Sequence, residues 1–246
     1  MMKKYTCLVI DDEPLARILV LEYLQSFENI EVLAECNDGF EGMKAIATLK
    51  PDFIFLDIQM PKINGFELLE LLEEPPAVIF TTAFDDYAMK AFEANAIDYL
   101  LKPFSKDRFE KAVSKVLAQL GSNQQNTALT AVTEDYLEKQ DTLTRIVVKH
   151  NHVVRILALQ ELLYLEAYGD YIKLHTAEGV FLKKKTMSFF ESHLNDKEFI
   201  RVHRSYIIPT QAIVKIDPPD FVILKGGSKI PISKTGYVKL KQVLGM

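Results

Sequence analysis

The sequence has no tryptophan, only two cysteines and nowhere a run of ~18 apolar residues, and each shortage removes a class of protein. The two thiols, Cys7 and Cys36, lack metal-type spacing and sit in apolar surroundings, so neither a disulfide framework nor a thiolate metal site is expected. Without a long apolar run, no membrane span is predicted. The short run after Lys3 and Lys4 ends at Ile10, before Asp11, Asp12 and Glu13. It is too short and too acidic at its end for a secretory leader, and a reduced, cytoplasmic protein with no membrane partner is the expectation. Glycine is sparse as well, with ten residues in 246. None follows the first strand-like run, where Asp11-Asp12-Glu13-Pro14 stands in place of the glycine-rich turn of a dinucleotide site. There is no helix-turn-helix pattern and no internal repeat.

What is present is a chain that is 48% apolar and 26% charged, long enough for one large domain or two ordinary ones. Its net charge of -5 hides a division along the chain. Residues 1–120 hold 12 Lys/Arg against 21 Asp/Glu (-9), residues 121–143 hold 1 against 4 (-3), and residues 144–246 hold 16 against 9 (+7). All five histidines lie in the basic part.

Residues 1–120 alternate short apolar runs with amphipathic stretches. Strands are predicted over Thr6–Ile10, Glu31–Glu35, Asp52–Leu56, Ala77–Thr81 and Ile97–Leu100. Helices are predicted near Leu15–Phe27, Phe40–Leu49, Gly65–Leu72, Tyr87–Asn95 and Lys106–Leu120. Such alternation implies an α/β domain, a five-stranded doubly wound parallel sheet with helices on both faces. Residues 121–143 lose the periodicity and read as a linker, with a helical turn around Asp135–Lys139. Residues 144–246 form a smaller, mostly β domain. Its runs are Ile146–His150, Val153–Leu157, Leu163–Tyr168, Tyr171–Thr176, Val180–Lys184, Arg201–Ile208, Ala212–Ile216, Phe221–Lys225 and Lys229–Ile232. Turn signals fall at Gly169-Asp170, Glu178-Gly179, Pro218-Pro219 and Gly226-Gly227, and helices are expected over Thr186–Leu194 and Lys234–Leu244.

In the acidic domain, chemistry-bearing residues recur at strand ends. Asp11 and Asp12 follow the first strand, Asp57 ends the third, Thr82 ends the fourth and Lys102 follows the fifth. In a doubly wound sheet that edge binds ligands. Any one of these residues could be a solvated turn, a helix cap or a surface lysine. Their joint occurrence points to a pocket where clustered carboxylates hold Mg²⁺ and where a hydroxyl and an ammonium meet phosphoryl oxygens.

These residues stand in VIDDEPLAR, LDIQMPKINGFELL, Thr82-Ala83, Tyr99 and Lys102-Pro103, and residues 5–120 resemble the receiver domain of two-component response regulators. The resemblance implies that Asp57 accepts a phosphoryl group from a sensor histidine kinase. It further implies that Asp12, Asp57 and the backbone carbonyl of Gln59 ligate Mg²⁺, with Asp11 acting through water. Lys102 would bind a phosphoryl oxygen across a cis bond to Pro103, and Thr82 and Tyr99 would form the switch. Phe84 would shield the phosphorylated group or simply pack. A haloacid-dehalogenase-type phosphotransferase needs an acid two residues after the nucleophile, and Gln59 stands there instead.

A +7 module suits a phosphate-backbone binder, although charge alone fits a merely solvated β domain equally well. The stretches YLEAYGDYIKLHT, FIRVHRSYIIP and IPISKTGYVKLKQVL are similar to the LytTR DNA-binding domain. That family reads successive major grooves of a repeated site with loop side chains. The resemblance implies contacts from Gly169, Asp170 and Tyr171, from Arg201 and Arg204, and from Lys234. Arg204 is suited to guanine, and Lys173, Lys183–Lys185 and Lys239 are secondary phosphate contacts. His203 is expected to pack or hydrogen-bond within the domain.

The expectation is a response regulator, not an enzyme, that dimerises on phosphorylation and binds double-stranded DNA to regulate transcription. The alternative is a receiver-controlled signalling or scaffold protein acting through protein or RNA partners.

Overall fold

Apolar runs that must be covered on both faces become the parallel strands of one sheet. They are β1 (Tyr5–Ile10), β2 (Ile30–Cys36), β3 (Phe53–Asp57), β4 (Ala77–Thr82) and β5 (Asp98–Leu101), arranged in the order β2-β1-β3-β4-β5. The computed structural model describes residues 4–83, 96–121, 142–150, 153–217 and 220–245. It divides the chain into two units, residues 1–137 and 138–246. The expected helix over Tyr87–Asn95, Phe84, the Pro218-Pro219 turn and all but the margins of the expected linker lie outside the described residues.

Among the described residues the first unit holds three helices that connect strands, α1 (Pro14–Leu24), α2 (Gly39–Leu49) and α3 (Gly65–Leu71), and a fourth, α4 (Lys106–Gly121), that follows β5. With no tryptophan available, phenylalanines fill the core. Phe55 stacks on Phe109 at 5.2 Å, Phe104 stacks on Phe109 at 6.2 Å, and Phe66 meets Phe80 at 4.8 Å. The core face of α4 (Phe109, Ala112, Val113, Val116) packs with Phe53, Phe55 and Ile79 of the sheet. Because β1 lies between β2 and β3, strand order reverses there, and the ends of β1 and β3 are neighbours, with Ile10 paired to Leu56. Helix α3 starts hard against that edge. A Cβ on Gly65 would stand 2.4 Å from the carbonyl oxygen of Asp57, so only glycine permits the approach. Asn64 caps the helix reciprocally with Glu67, at 2.8 and 2.9 Å.

The second unit is antiparallel. Strands β8 (Leu162–Tyr168), β9 (Tyr171–Thr176), β10 (Gly179–Lys183), β11 (Phe199–His203) and β12 (Tyr206–Pro209) form a sheet in the order β10-β9-β8-β12-β11. A two-stranded sheet pairs β6 (Arg145–His150) with β7 (Val153–Ala158), and a three-stranded one joins β13 (Ile213–Asp217), β14 (Phe221–Leu224) and β15 (Lys229–Pro231). The helices are α5 (Met187–His193) and α6 (Lys234–Leu244). A core of Ile200, Val202, Ile208, Val222, Leu224, Ile230, Ile232 and Leu240 joins β11 and β12 to β14, β15 and α6.

One expected strand is corrected. Arg201–Ile208 is two strands of a hairpin turning at Arg204-Ser205, with His203 paired to Tyr206. The polar run His203-Arg204-Ser205 that forms the turn holds no Gly, Pro or Asn, and its fixing contacts come from the Arg201 side chain on the Arg204 carbonyl and from His203 Nδ1, which accepts from Ser205 N.

Helix α6 crosses β11 as closely as two backbones can. A Cβ on Gly236 would stand 1.9 Å from the carbonyl oxygen of Val202. Gly236→Ala must therefore push helix and strand apart, at a cost of about 3 kcal/mol. Amide hydrogen exchange in β11 and α6 should accelerate by roughly 10²-fold, at about tenfold per 1.4 kcal/mol. Unchanged protection would contradict the close crossing.

Candidate functional sites

In the first unit the strand-end residues converge. Among the described residues, Asp11, Asp12 and Asp57 form a group whose carboxylate oxygens lie within 4.8 Å of one another. Asp11 and Asp57 are 2% and 4% exposed, and Asp12 is half-buried. Lys102 Nζ reaches into the group, 2.8 Å from Asp11, 3.4 Å from Asp57 and 3.3 Å from Glu13. The Lys102-Pro103 peptide is cis.

The electrostatics follow from crowding. Burial, and then the charge of Asp11, push the Asp57 carboxyl up to about 7, against the opposing pull of Lys102. Burial also raises Asp11. Burial opposes the charge on Lys102, yet its hydrogen bond to Asp11 and the nearby carboxylates hold its pKa above the ordinary lysine value. One ammonium therefore leaves excess negative charge in a pocket of hard oxygen donors, and that donor set fits a divalent cation such as Mg²⁺.

Gln59 is exposed two residues beyond Asp57, and its backbone N–H donates to Asp57 Oδ1 at 3.3 Å. Thr82 is fully buried, and its Oγ1 has no hydrogen-bond partner among the described residues. An orphaned hydroxyl at such a depth is costly unless a ligand supplies the missing bond. Tyr99 is buried on β5, where its carbonyl accepts from Arg108 at 2.5 Å while Arg108 grips Asp98 at 2.7 and 3.0 Å.

Three supporting residues carried no signal in the sequence. Arg17 Nη1 donates to the carbonyl of Asp11 at 2.7 Å, fixing the turn that presents the acidic pair. Gly65 admits α3 against Asp57, and Glu13 shares Lys102. Their roles depend on how the folded backbone brings them together, over six residues for Arg17, eight for Gly65 and 89 for Glu13. Only the VIDDEPLAR and INGFELL stretches, which contain them, pointed toward the region.

In the second unit, three of the expected contact segments meet at one sheet end. The β8–β9 hairpin turns at Gly169-Asp170, where Gly169 takes φ +58° at the first central position. The last residues of β8 abut the β11–β12 turn through a bond from Ala167 N to Ser205 O at 2.9 Å. The start of α6 abuts β11 through Ser233 N to Val202 O, also 2.9 Å, and Ser233 Oγ caps the helix at Gly236 N, 3.0 Å. Tyr168, Tyr171, Arg204 and Lys234 are exposed around this end. Lys173 Nζ lies 3.8 Å from the centre of the Tyr168 ring.

Of the remaining expected residues, Lys184 is exposed and the others are engaged within the fold. Arg201 bonds Glu191 and the carbonyl of Arg204. His203 is half-buried and accepts from Ser205 N at 3.2 Å. Lys183 donates to the carbonyl of Val147 at 3.0 Å, and Lys185 is 7% exposed with its ammonium 5.2 Å from the Phe189 ring centre. Neither Lys183 nor Lys185 is free to meet a phosphate, because packing uses both the stem and the charge of these side chains.

Fold and sites together define a class: an α/β unit with an acidic pocket at its topological switch point, followed by a basic antiparallel module. The family model of the response regulator receiver domain matches residues 7–114, and that of the LytTr DNA-binding domain matches residues 152–245. The chain is 34% identical over 247 residues to the transcriptional regulatory protein BtsR of Escherichia coli, covering 97% of this chain and 98% of the relative. It is 33% identical over 246 residues to the transcriptional regulatory protein LytR of Staphylococcus aureus, with the same coverage. It is 37% identical over 251 residues to an uncharacterized response regulatory protein of Vibrio parahaemolyticus, covering 98% of each. The chain belongs to the family of response regulators that join a receiver to a LytTr DNA-binding domain. These families are regulatory and DNA-binding domains, not enzymes. Among the described residues no helix is long and apolar enough to cross a membrane.

Proposed function

We propose that this chain is a cytoplasmic transcription regulator in which a sensor histidine kinase phosphorylates Asp57, promoting dimerisation and binding of a repeated DNA site. The domains implied are 1–120 for the receiver, 121–143 for the linker and 144–246 for the DNA-binding module. The observation that carries the receiver's role is the buried Asp57 beside Lys102, with the Thr82 hydroxyl, unpartnered among the described residues, at the same sheet edge.

In this reading an Asp57 carboxylate oxygen attacks the phosphorus of a phosphohistidine, the P–N bond breaks, and the imidazole leaves with its electron pair. Lys102 binds a phosphoryl oxygen, and Thr82 Oγ1 donates to another, gaining the partner it lacks. Asp12, Asp57 and the Gln59 carbonyl would hold Mg²⁺, with Asp11 acting through water. When bound, the ion supplies charge neutralisation for the carboxylates and the incoming phosphoryl group. Engaging Thr82 changes the surroundings of Tyr99 on the neighbouring strand, and this passes the local charge change outward.

On the DNA side, the shared end formed by Gly169–Tyr171, Arg204 and the start of α6 at Lys234 faces the major groove. Arg201 belongs to the same surface. Arg204 reads guanine through its two-armed guanidinium, and Lys234 meets a base or a phosphate. Dimeric receivers raise the local concentration of the second module, so a modest dimerisation gives a large occupancy gain.

Repeated rounds of selection from a random duplex pool, with the full chain, Mg²⁺ and acetyl phosphate, test this function. A repeated motif should be enriched. Enrichment of no sequence, with RNA or protein captured instead, would overturn the DNA reading.

A further inference from the structure

At the turn that carries Arg204, Ser205 is held by His203 Nδ1 and by Ala167 N, and the Arg204 peptide itself is held by the guanidinium of Arg201. Arg201 Nη1 donates to Glu191 Oε2 at 2.7 Å, and its Nη2 donates to the carbonyl of Arg204 at 2.8 Å. The other carboxylate oxygen of Glu191 accepts from Lys239 Nζ at 2.8 Å. One carboxylate thus ties α5, β11 and α6 together. Although burial opposes its charge, the bonds from Lys239 and Arg201 keep the Glu191 carboxyl below its ordinary range. The hairpin register slips between Arg201 and His203, so the strand is irregular directly before the turn.

A carboxylate on a surface meant for phosphates repels DNA, and here it also occupies two cations that could otherwise meet the backbone. What this arrangement gives in return is geometry. Two-armed base readout requires a guanidinium placed to within roughly 0.5 Å, and Arg204 sits on a two-residue turn after an irregular strand. The bond from Arg201 to the Arg204 carbonyl removes the rotation of that peptide.

We infer that Arg201, clamped by Glu191, is a positioning residue for Arg204, and that Glu191 sets base discrimination by keeping Arg201 and Lys239 off the phosphates. This rests on the DNA-facing reading of Arg204 proposed above. In place of a direct contact, Arg201 acts through its neighbour's backbone.

The test uses the full chain, a duplex it selects from a random pool, and a scrambled duplex of the same composition. Arg201→Ala should weaken the selected duplex about tenfold and change the scrambled one by less than about twofold, relaxing the same base positions as Arg204→Ala. The Arg201→Ala/Arg204→Ala double variant should bind the selected duplex no more weakly than Arg204→Ala alone. Arg201→Lys, which keeps the charge but not the two-armed bond, should behave as Arg201→Ala does. Glu191→Gln should tighten the scrambled duplex and steepen its log-log salt slope by roughly one, lowering the specificity ratio. Equal losses on both duplexes that add to Arg204→Ala and are rescued by Lys would make Arg201 a phosphate contact and overturn the inference. So would unchanged discrimination in both Arg201→Ala and Glu191→Gln. If Arg204→Ala itself left selected binding intact, the underlying DNA reading would fail first, and that variant alone would show it.

Discussion

Asp57→Asn is expected to take no label from acetyl phosphate at an Mg²⁺ concentration at which the parent chain labels fully. In the absence of divalent cation the same variant should be the more stable protein at pH 8. Both effects have one origin. In the proposed function the Asp57 carboxyl is the nucleophile, and it is held in a pocket whose burial and neighbouring Asp11 charge lift it from 3.8 to about 7. Between those values the folded chain binds a proton that the unfolded chain has released, so stability falls as pH rises through this window. Above about pH 7 the full cost of the charge is present. The ceiling on that cost is about 4 kcal/mol. Asparagine removes the charge, and because the pull of Lys102 is already contained in the value of about 7, the gain should approach that ceiling without exceeding it. At pH 4 the gain should vanish. Residual labelling of Asp57→Asn would move the phosphoacceptor elsewhere, and a loss of stability at pH 8 would contradict the crowded-charge account of the pocket.

The Arg204→Ala/Lys234→Ala double variant is expected to lose roughly 10² to 10³-fold in affinity for a selected duplex, with the fold intact. Both side chains are exposed, and Arg204 has no acceptor among the described residues, so their removal leaves no buried group unpaired. Yet they flank one edge, because Ser233 bonds Val202 two residues before Arg204. A bidentate guanidinium contact accounts for about 1–3 kcal/mol, and its loss should relax discrimination at one base position. If Lys234 meets a phosphate, its loss should weaken selected and scrambled duplexes alike and flatten the salt slope by roughly one. A double variant that retained the parent's affinity would place the DNA surface elsewhere on the module.

The parallel sheet was legible because β1, β3 and β4 are nearly continuous apolar runs that stop at Asp11, Asp57 and Thr82. A strand buried on both faces leaves that mark in any sequence, and so does a polar residue at its carboxyl end. The Arg204 hairpin was not legible. Alternation breaks at the polar run His203-Arg204-Ser205, which holds no Gly, Pro or Asn, and the turn is fixed by the bond from Arg201 to the Arg204 carbonyl together with the bond from Ser205 N to His203 Nδ1. The basic run Lys183–Lys185 suggested a phosphate-binding edge, but the fold uses Lys183 to satisfy the carbonyl of Val147 and buries Lys185 near Phe189. Gly65 and Gly236 look alike in sequence to any other helix-start glycine. Their necessity comes from the carbonyls of Asp57 and Val202, whose approach is set by the folded backbone and leaves no mark at Gly65 or Gly236 themselves. Charge division along the chain, in contrast, survived folding intact: the acidic pocket lies in the -9 segment and the exposed cations of the β module in the +7 segment.

The central claim is that phosphorylation of Asp57 controls DNA occupancy, and one titration tests it most directly. Binding of the full chain to its selected repeated duplex is measured with and without acetyl phosphate and Mg²⁺, for the parent and for Asp57→Asn. The phosphodonor should tighten binding by the parent about tenfold or more, through dimerisation, and leave Asp57→Asn unchanged. An equal gain in Asp57→Asn, or no gain in a fully labelled parent, would contradict the account.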